Sequence, residues 1–109
     1  MSWALPWVEK LKRGETVQFR PRGHSMKGKV NDGDLVTVVP VKFEPWPAIC
    51  PVMQGDIVLC KVKSKYFLHL VVSEGDGTGT EFLIGNNRGY TNGWTLAKNI
   101  FGKVIRVEK

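Results

Sequence analysis

The sequence predicts a mainly β domain that begins with a short helix. Residues 35–41 are mostly β-branched, which is typical of a strand. Residues 55–63 and 66–73 give two further strand patterns, and the Ser64-Lys65 pair between them predicts a tight hairpin turn. A chain of 109 residues suffices for one compact core and not for two. We therefore expect a single domain over residues 1–109, with a helical segment at 1–14 and a β core at 15–109.

The N-terminal segment carries the start and stop signals of a helix. Pro6 suits a first helical turn, and it opens a stretch in which Val8 and Leu11 share a face. Gly14 is a natural end for this helix, because glycine readily adopts the left-handed conformation that follows a last turn. Residues 16–20 then alternate between apolar and polar side chains, as a strand does.

The stretches between the strand patterns predict loops and turns. Residues 43–53 contain three prolines and are expected to form an irregular loop. Residues 73–80 are rich in glycine and predict a flexible hairpin loop, without the ligand spacing of a calcium-binding EF-hand. Asn92-Gly93-Trp94 predicts a turn that carries an aromatic side chain.

Composition narrows the possible partners and the compartment. The net charge is +6, and the basic residues are scattered, so we expect at most weak, non-specific binding to nucleic acid. No apolar run approaches the roughly 20 residues that a membrane span needs, and no secretory signal is visible. Cys50 and Cys60 do not form a CxxC pair, and we expect both to be reduced thiols of a cytoplasmic protein.

Ser25 lies in a stretch that two glycines bracket. Gly23 and Gly28 let the backbone bend on either side of Ser25, so that its hydroxyl can be presented instead of buried. A serine in such a turn most often satisfies only local backbone groups. It becomes a candidate nucleophile where a neighbouring base can take its proton.

His69 is the candidate base. It lies in the middle of an apolar strand pattern, where a histidine is costly to bury unless it is paired or functional. By the two-residue period of a strand it shares a face with Phe67 and Val71. A two-residue turn at Ser64-Lys65 would place Cys60 directly opposite His69. The alternative interpretation is a core histidine that hydrogen-bonds to the backbone.

Four short motifs, in this order, connect Ser25 and His69 to a known family. They are Gly23-His-Ser-Met26, Asn-Asp-Gly-Asp-Leu-Val at 31–36, Gly-Asp-Ile-Val at 55–58 and Phe-Leu-His-Leu-Val-Val at 67–72. Together they resemble the serine peptidase superfamily that joins LexA-like repressors and type I signal peptidases. In that family the Ser-Met box supplies the nucleophile, and the returning strand of a hairpin carries a lysine base. Ser25 matches the nucleophile, and His69 stands where the lysine would be.

The later part of the chain extends the resemblance. Signal peptidases of the eukaryotic and archaeal kind look similar and place a histidine at the position of His69. Residues 83–88 and 100–105 are similar to the family's late Gly-Asp-Asn box and to its final strand. Asn86 stands where the histidine-type enzymes have an aspartate, so we expect it to orient the imidazole through a neutral hydrogen bond. The resemblance implies strongly bent antiparallel sheets, as in the LexA and signal-peptidase catalytic core.

The function that the resemblance implies is that of a serine endopeptidase with a Ser25–His69 dyad. The substrate would be a peptide or protein segment, bound as an added strand and cleaved after a small residue. His24 and Met26, on either side of Ser25, are expected to contact this substrate. His24 is also a second candidate base, ranked below His69 because adjacent residues on an extended turn usually point apart. We expect no cofactor and no metal, since the histidines and cysteines lack the spacing of a zinc site.

Two other functions stay open at this point. A catalytically inactive member of the same fold would bind a peptide or protein partner through the same groove. Asn86 favours this alternative, because an amide cannot stabilise an imidazolium as a carboxylate does. The third function is that of a small basic β domain that binds nucleic acid, with an affinity that falls steeply with salt.

Overall fold

The computed structural model describes residues 3–22, 26–43, 51–75 and 80–109, and it begins with the predicted helix. Helix α1 spans Leu5–Lys12, with Pro6 in its first turn and with Val8 and Leu11 buried on one face. Gly14 follows with a φ of +87° and donates its N–H to the Leu11 carbonyl at 2.9 Å. This left-handed residue ends the helix where the sequence predicts.

Seven strands follow the helix. They are β1 (Val17–Phe19), β2 (Leu35–Pro40), β3 (Ile57–Val62), β4 (Lys65–Ser73), β5 (Glu81–Gly85), β6 (Thr91–Leu96) and β7 (Ile100–Glu108), with a single 3-10 turn at Ala97–Asn99 before β7. The described strands form one antiparallel sheet in the order β1-β2-β7-β3-β4-β5-β6. The prediction of a mainly β domain of antiparallel strands with a short N-terminal helix is confirmed.

Register shifts interrupt four of the strand pairs. One lies between Thr37 and Val38 in the β2–β7 pair. The β3–β7, β4–β5 and β5–β6 pairs each contain another. Such irregularities bend a strand and increase its twist. Strand β6 also lies over β3, where the Thr95 hydroxyl donates to the Lys61 carbonyl at 2.6 Å.

Strands β3 and β4 are covered on both faces, which explains their nearly continuous apolar sequence. On one face Leu59 and Leu68 pack against the helix, β1 and β2. On the other face Val58, Cys60 and Val71 pack against β5 and the start of β7. The two clusters form the core on either side of the central hairpin, and this hairpin carries His69.

The turn of that hairpin differs from the predicted one. Lys63 and Ser64 occupy it with positive φ angles of 49° and 70°, and Lys65 already pairs with Val62. Phe67 therefore lies opposite Cys60 and His69 lies opposite Val58, so the predicted Cys60–His69 pairing is wrong. The two registers differ by two residues. Such a shift leaves every side chain on the same face, and the hydrophobic pattern cannot distinguish them.

Of the three loop predictions, one is wrong and two fall largely outside the described residues. Asn92-Gly93-Trp94 lies in β6 and pairs with β5, so the turn predicted there is wrong; the turn occupies residues 87–88, just before β6. Most of the loop predicted at 43–53 and half of that predicted at 73–80 lie outside the described residues. In the part of the chain that is described, no helix has the length and apolar character needed to cross a membrane.

Candidate active site

The structure buries His69 in the middle of β4. Only 8% of its surface is exposed, and its ring lies 5.0 Å from that of Phe67, centroid to centroid. The contact confirms that His69 and Phe67 share a face of the strand. Apolar neighbours keep most water from the imidazole, so its ring nitrogens depend on protein partners.

Asn92 provides one of these partners. Its side-chain oxygen lies 2.7 Å from Nδ1 of His69. An amide oxygen can only accept a hydrogen bond, so Nδ1 carries a proton and donates it. In the neutral ring the second nitrogen, Nε2, is then unprotonated and basic. The contact fixes both the tautomer and the orientation that a general base needs.

Two opposing effects act on the pKa of His69. Burial disfavours the charged ring and lowers the pKa below its usual value of 6.5, while the hydrogen bond to Asn92 favours the charged ring and partly offsets this. The net result is a lowered pKa. His69 is therefore mostly neutral at pH 7, and a neutral ring is the form that can take a proton from a hydroxyl.

Asn86 does not make the contact that the sequence analysis assigns to it. Its side-chain oxygen accepts from the backbone N–H groups of Arg88 at 2.8 Å and Tyr90 at 3.1 Å, which holds the turn between β5 and β6. The predicted contact with the imidazole is made by Asn92 instead. Sequence reasoning missed Asn92 because β4 and β6 are not neighbours in the sheet; β5 lies between them.

Ser25 and His24 lie outside the described residues, and the structure describes the chain on either side of them. Before them, the guanidinium of Arg20 donates to the Gly33 carbonyl at 2.7 Å. After them, Met26 is buried with 4% of its surface exposed, and its carbonyl accepts from Val30 N–H at 2.8 Å. Both flanks of the Ser25 position are thus tied to the body of the protein.

The stretch after Met26 is also tied to the turn between β5 and β6. The Asn87 side chain donates to the Lys27 carbonyl at 2.9 Å. Gly28 has a φ of +100°, and a Cβ there would lie 3.4 Å from the Asn87 amide nitrogen. Gly28 also donates its N–H to the Asn31 side chain at 2.9 Å. This glycine is needed for its left-handed backbone, as the sequence analysis expects for the turn.

The two flanks and His69 line one cavity of about 580 Å³, which we call the β4 groove. Arg22 and Met26, the described residues nearest to Ser25 on either side, both contribute to its lining. Three aromatic side chains from the N-terminal region form another wall: Trp3, Trp7 and Phe19. Sequence reasoning missed this wall, although Trp3 and Trp7 are four residues apart at the helical period.

The groove runs along the edge of β4. Tyr66, Phe67, Leu68 and His69 all line it, and consecutive strand residues point to opposite faces, so the shared space must follow the backbone edge. Strand β5 pairs with β4 only from Leu70 onwards. Among the described strands, the stretch from Tyr66 to Leu68 therefore has a neighbour on one side only, namely β3.

Comparison with known proteins does not indicate a family for this chain. The sequence matches no model of a known protein family, and no curated protein sequence matches it. The described residues also contain no group of three or more histidine, cysteine or acidic side chains that could hold a metal ion. The chemistry of the site has to be argued from the groove itself.

Proposed function

We propose that this protein is a serine endopeptidase-like hydrolase that uses a Ser25–His69 dyad on an extended peptide segment. The observation that supports it is the β4 groove. Along it lie a buried histidine with a fixed tautomer, the described residues nearest to Ser25 on either side, Arg22 and Met26, and a stretch of β4 that has only one neighbour among the described strands. A peptide that pairs with this edge would pass the histidine as an added strand.

In the proposed reaction Nε2 of His69 takes the proton of the Ser25 hydroxyl as Oγ attacks the scissile carbonyl carbon. The imidazolium then gives this proton to the leaving amine, and an acyl-enzyme ester remains on Ser25. Water attacks the ester, again with His69 as the base, and releases the acid and the free serine. Asn92 keeps Nδ1 protonated throughout and so keeps Nε2 in its role as base.

A second function, peptide binding without hydrolysis, is favoured by one specific observation. The partner of His69 is the neutral amide of Asn92, and an amide stabilises the imidazolium far less than the carboxylate of a complete triad. The same open strand edge and groove would then hold a peptide or protein partner without cleaving it.

A serine-directed fluorophosphonate probe separates the two functions. The wild-type protein should be labelled, Ser25→Ala should lose the label, and His69→Ala should lose most of it by removal of the base. Ser73→Ala is the matched control, because the Ser73 hydroxyl accepts from Gly75 N–H at 3.3 Å and Ser73 is not among the described residues that line the groove, so this variant should label like wild type. Thermal melts establish that each variant is folded. Folded wild-type protein that resists the probe between pH 5 and 9 would leave peptide binding as the function.

A further inference from the structure

The β4 groove carries a charge pattern that bears on its substrate. Arg20 and Arg22 line it, and none of the described residues that line it is an aspartate or a glutamate. The ion pairs between described residues join Arg13 to Glu15 and Arg106 to Glu108, so no described carboxylate forms an ion pair with either groove arginine. Among the described residues that line the groove, the formally charged side chains are thus both cationic.

Arg20 is held in place for binding. One Nη1–H of its guanidinium is used by the Gly33 carbonyl at 2.7 Å, and Gly33 N–H in turn donates to the Pro21 carbonyl at 3.3 Å. These contacts fix the guanidinium of Arg20 at the groove wall, and its remaining N–H donors can still bind a carboxylate. Arg22 follows two residues later on the same segment.

An apolar wall faces the same space. The rings of Trp7 and Phe19 are stacked, with centroids 5.1 Å apart and an interplanar angle of 12°. Trp3 lies against the same Phe19 ring at 6.1 Å. A bound segment thus meets cationic side chains and an aromatic surface together.

We propose that the β4 groove selects extended peptides that carry an acidic side chain, which binds Arg20 and Arg22, close to an apolar side chain that contacts the Trp7–Phe19 stack. The inference deepens the proposed function, on whose site it rests, but binding of this kind does not require the Ser25 hydroxyl. The open edge of β4 favours a peptide over nucleic acid. A strand edge offers N–H donors and carbonyl acceptors in alternation, which matches a peptide backbone, whereas a phosphate backbone offers acceptors only.

The test uses the Ser25→Ala protein, so that binding is measured without cleavage. A fluorescent library of ten-residue peptides, in which each position is fixed in turn as Asp, Glu, Asn, Gln or Lys, serves as the probe. At one or two positions Asp or Glu should bind about tenfold or more tightly than Asn or Gln, the scale of a charge-assisted hydrogen bond. The preference should weaken as salt is raised from 50 mM to 500 mM.

Substitutions assign this preference to the groove. Arg22→Gln should remove most of the acidic preference, and Arg22→Glu should reverse it in favour of Lys. Arg106→Gln is the matched control: it also removes one positive charge, from an exposed residue of β7 outside the groove, and the preference should persist.

Three results would overturn the inference: equal binding of acidic and neutral peptides, an acidic preference that survives Arg22→Glu, or tighter binding of oligo(dT) than of any acidic peptide. Its failure is distinguishable from that of the proposed function. Probe labelling of wild-type Ser25 without acidic preference would refute this inference alone. Acidic preference without any labelling would refute hydrolysis and leave an acidic-peptide binding module.

Discussion

Replacing Asn92 by aspartate tests the assignment of the histidine partner. The substitution puts a carboxylate oxygen about where the amide oxygen now lies, 2.7 Å from Nδ1 of His69. An opposite charge at such a distance raises a histidine pKa by roughly 1 to 3 units, and each unit corresponds to about 1.4 kcal/mol. Coulomb's law gives a similar upper bound of about 4 kcal/mol, for charge centres about 4 Å apart at an effective dielectric constant near 20. The pKa of His69 should therefore rise markedly in this variant from its lowered value in the wild type.

The assay is an NMR titration of the His69 ring, which is easily assigned because the chain has two histidines and His24→Gln removes the other signal. Asn86→Asp is the matched control. Its side-chain oxygen accepts from two backbone N–H groups of its own turn, so this variant should move the pKa of His69 by less than about 0.5 units.

Asn92→Ala completes the series. It removes the hydrogen bond that favours the charged ring, so the pKa of His69 should fall further. It also leaves the Nδ1–H without this acceptor, at a cost of roughly 1 to 3 kcal/mol in the free energy of unfolding. An unchanged His69 pKa in Asn92→Asp, or an equal rise in Asn86→Asp, would refute the assignment of Asn92 as the orienting residue.

Three further predictions concern stability and reactivity. Folding lowers the pKa of His69, so the unfolded chain binds more protons than the folded protein below about pH 6.5. The free energy of unfolding should therefore fall as the pH is lowered from about 6.5 through the folded pKa. Denaturant melts of wild type and His69→Gln should show this contribution only in the wild type. Burial raises the pKa of the Cys60 thiol to about 12. In a Cys50→Ser background, iodoacetamide at pH 8 should therefore modify Cys60 only after the protein unfolds. Equally fast modification of the folded protein would contradict the burial of Cys60. Gly102→Ala should cost roughly 1 to 3 kcal/mol in unfolding free energy, since its Cβ would lie 2.7 Å from the Val39 carbonyl oxygen, and a loss below about 0.5 kcal/mol would refute this close packing.

Local signals in the sequence sufficed for most of the fold. The helix of residues 5–12 follows from a proline, two apolar residues at helical spacing and Gly14, and the structure has each of these in the expected role. The strands β2, β3 and β4 follow from β-branched and alternating side chains. These features depend on neighbours within about ten residues, so a single sequence contains them.

The parts that could not be predicted depend on contacts between distant segments. Strand β6 contains Asn92 and Gly93, which are poor strand formers, and it exists because it pairs with β5 and lies over β3. The hairpin register differs by two residues from the expected one, and this preserves every hydrophobic face. The buried position of His69 could be predicted from the sequence, because its neighbours along the strand are apolar. Its partner Asn92 could not, because Asn92 lies on a distant strand.

The β4 groove also combines features that the sequence predicted with features that it did not. The sequence indicated Ser25, Met26 and His69 as members of one site, and in the structure one cavity is lined by Met26, His69 and residues 20–22. The aromatic wall of Trp3, Trp7 and Phe19 was not predicted, because it needs the helix to pack beside β1. Nor was the charge of the groove, since Arg20 and Arg22 look like ordinary surface residues in the sequence.

The central claim is that His69 activates Ser25, and its most direct test is the pH dependence of Ser25 modification. The rate of fluorophosphonate labelling, with Ser25 identified as the modified residue by peptide mass spectrometry, should rise with pH about a single midpoint. This midpoint should coincide with the His69 pKa from NMR, below 6.5 in wild type, and both should rise together in Asn92→Asp. A midpoint that does not follow His69, or labelling at a residue other than Ser25, would contradict the dyad.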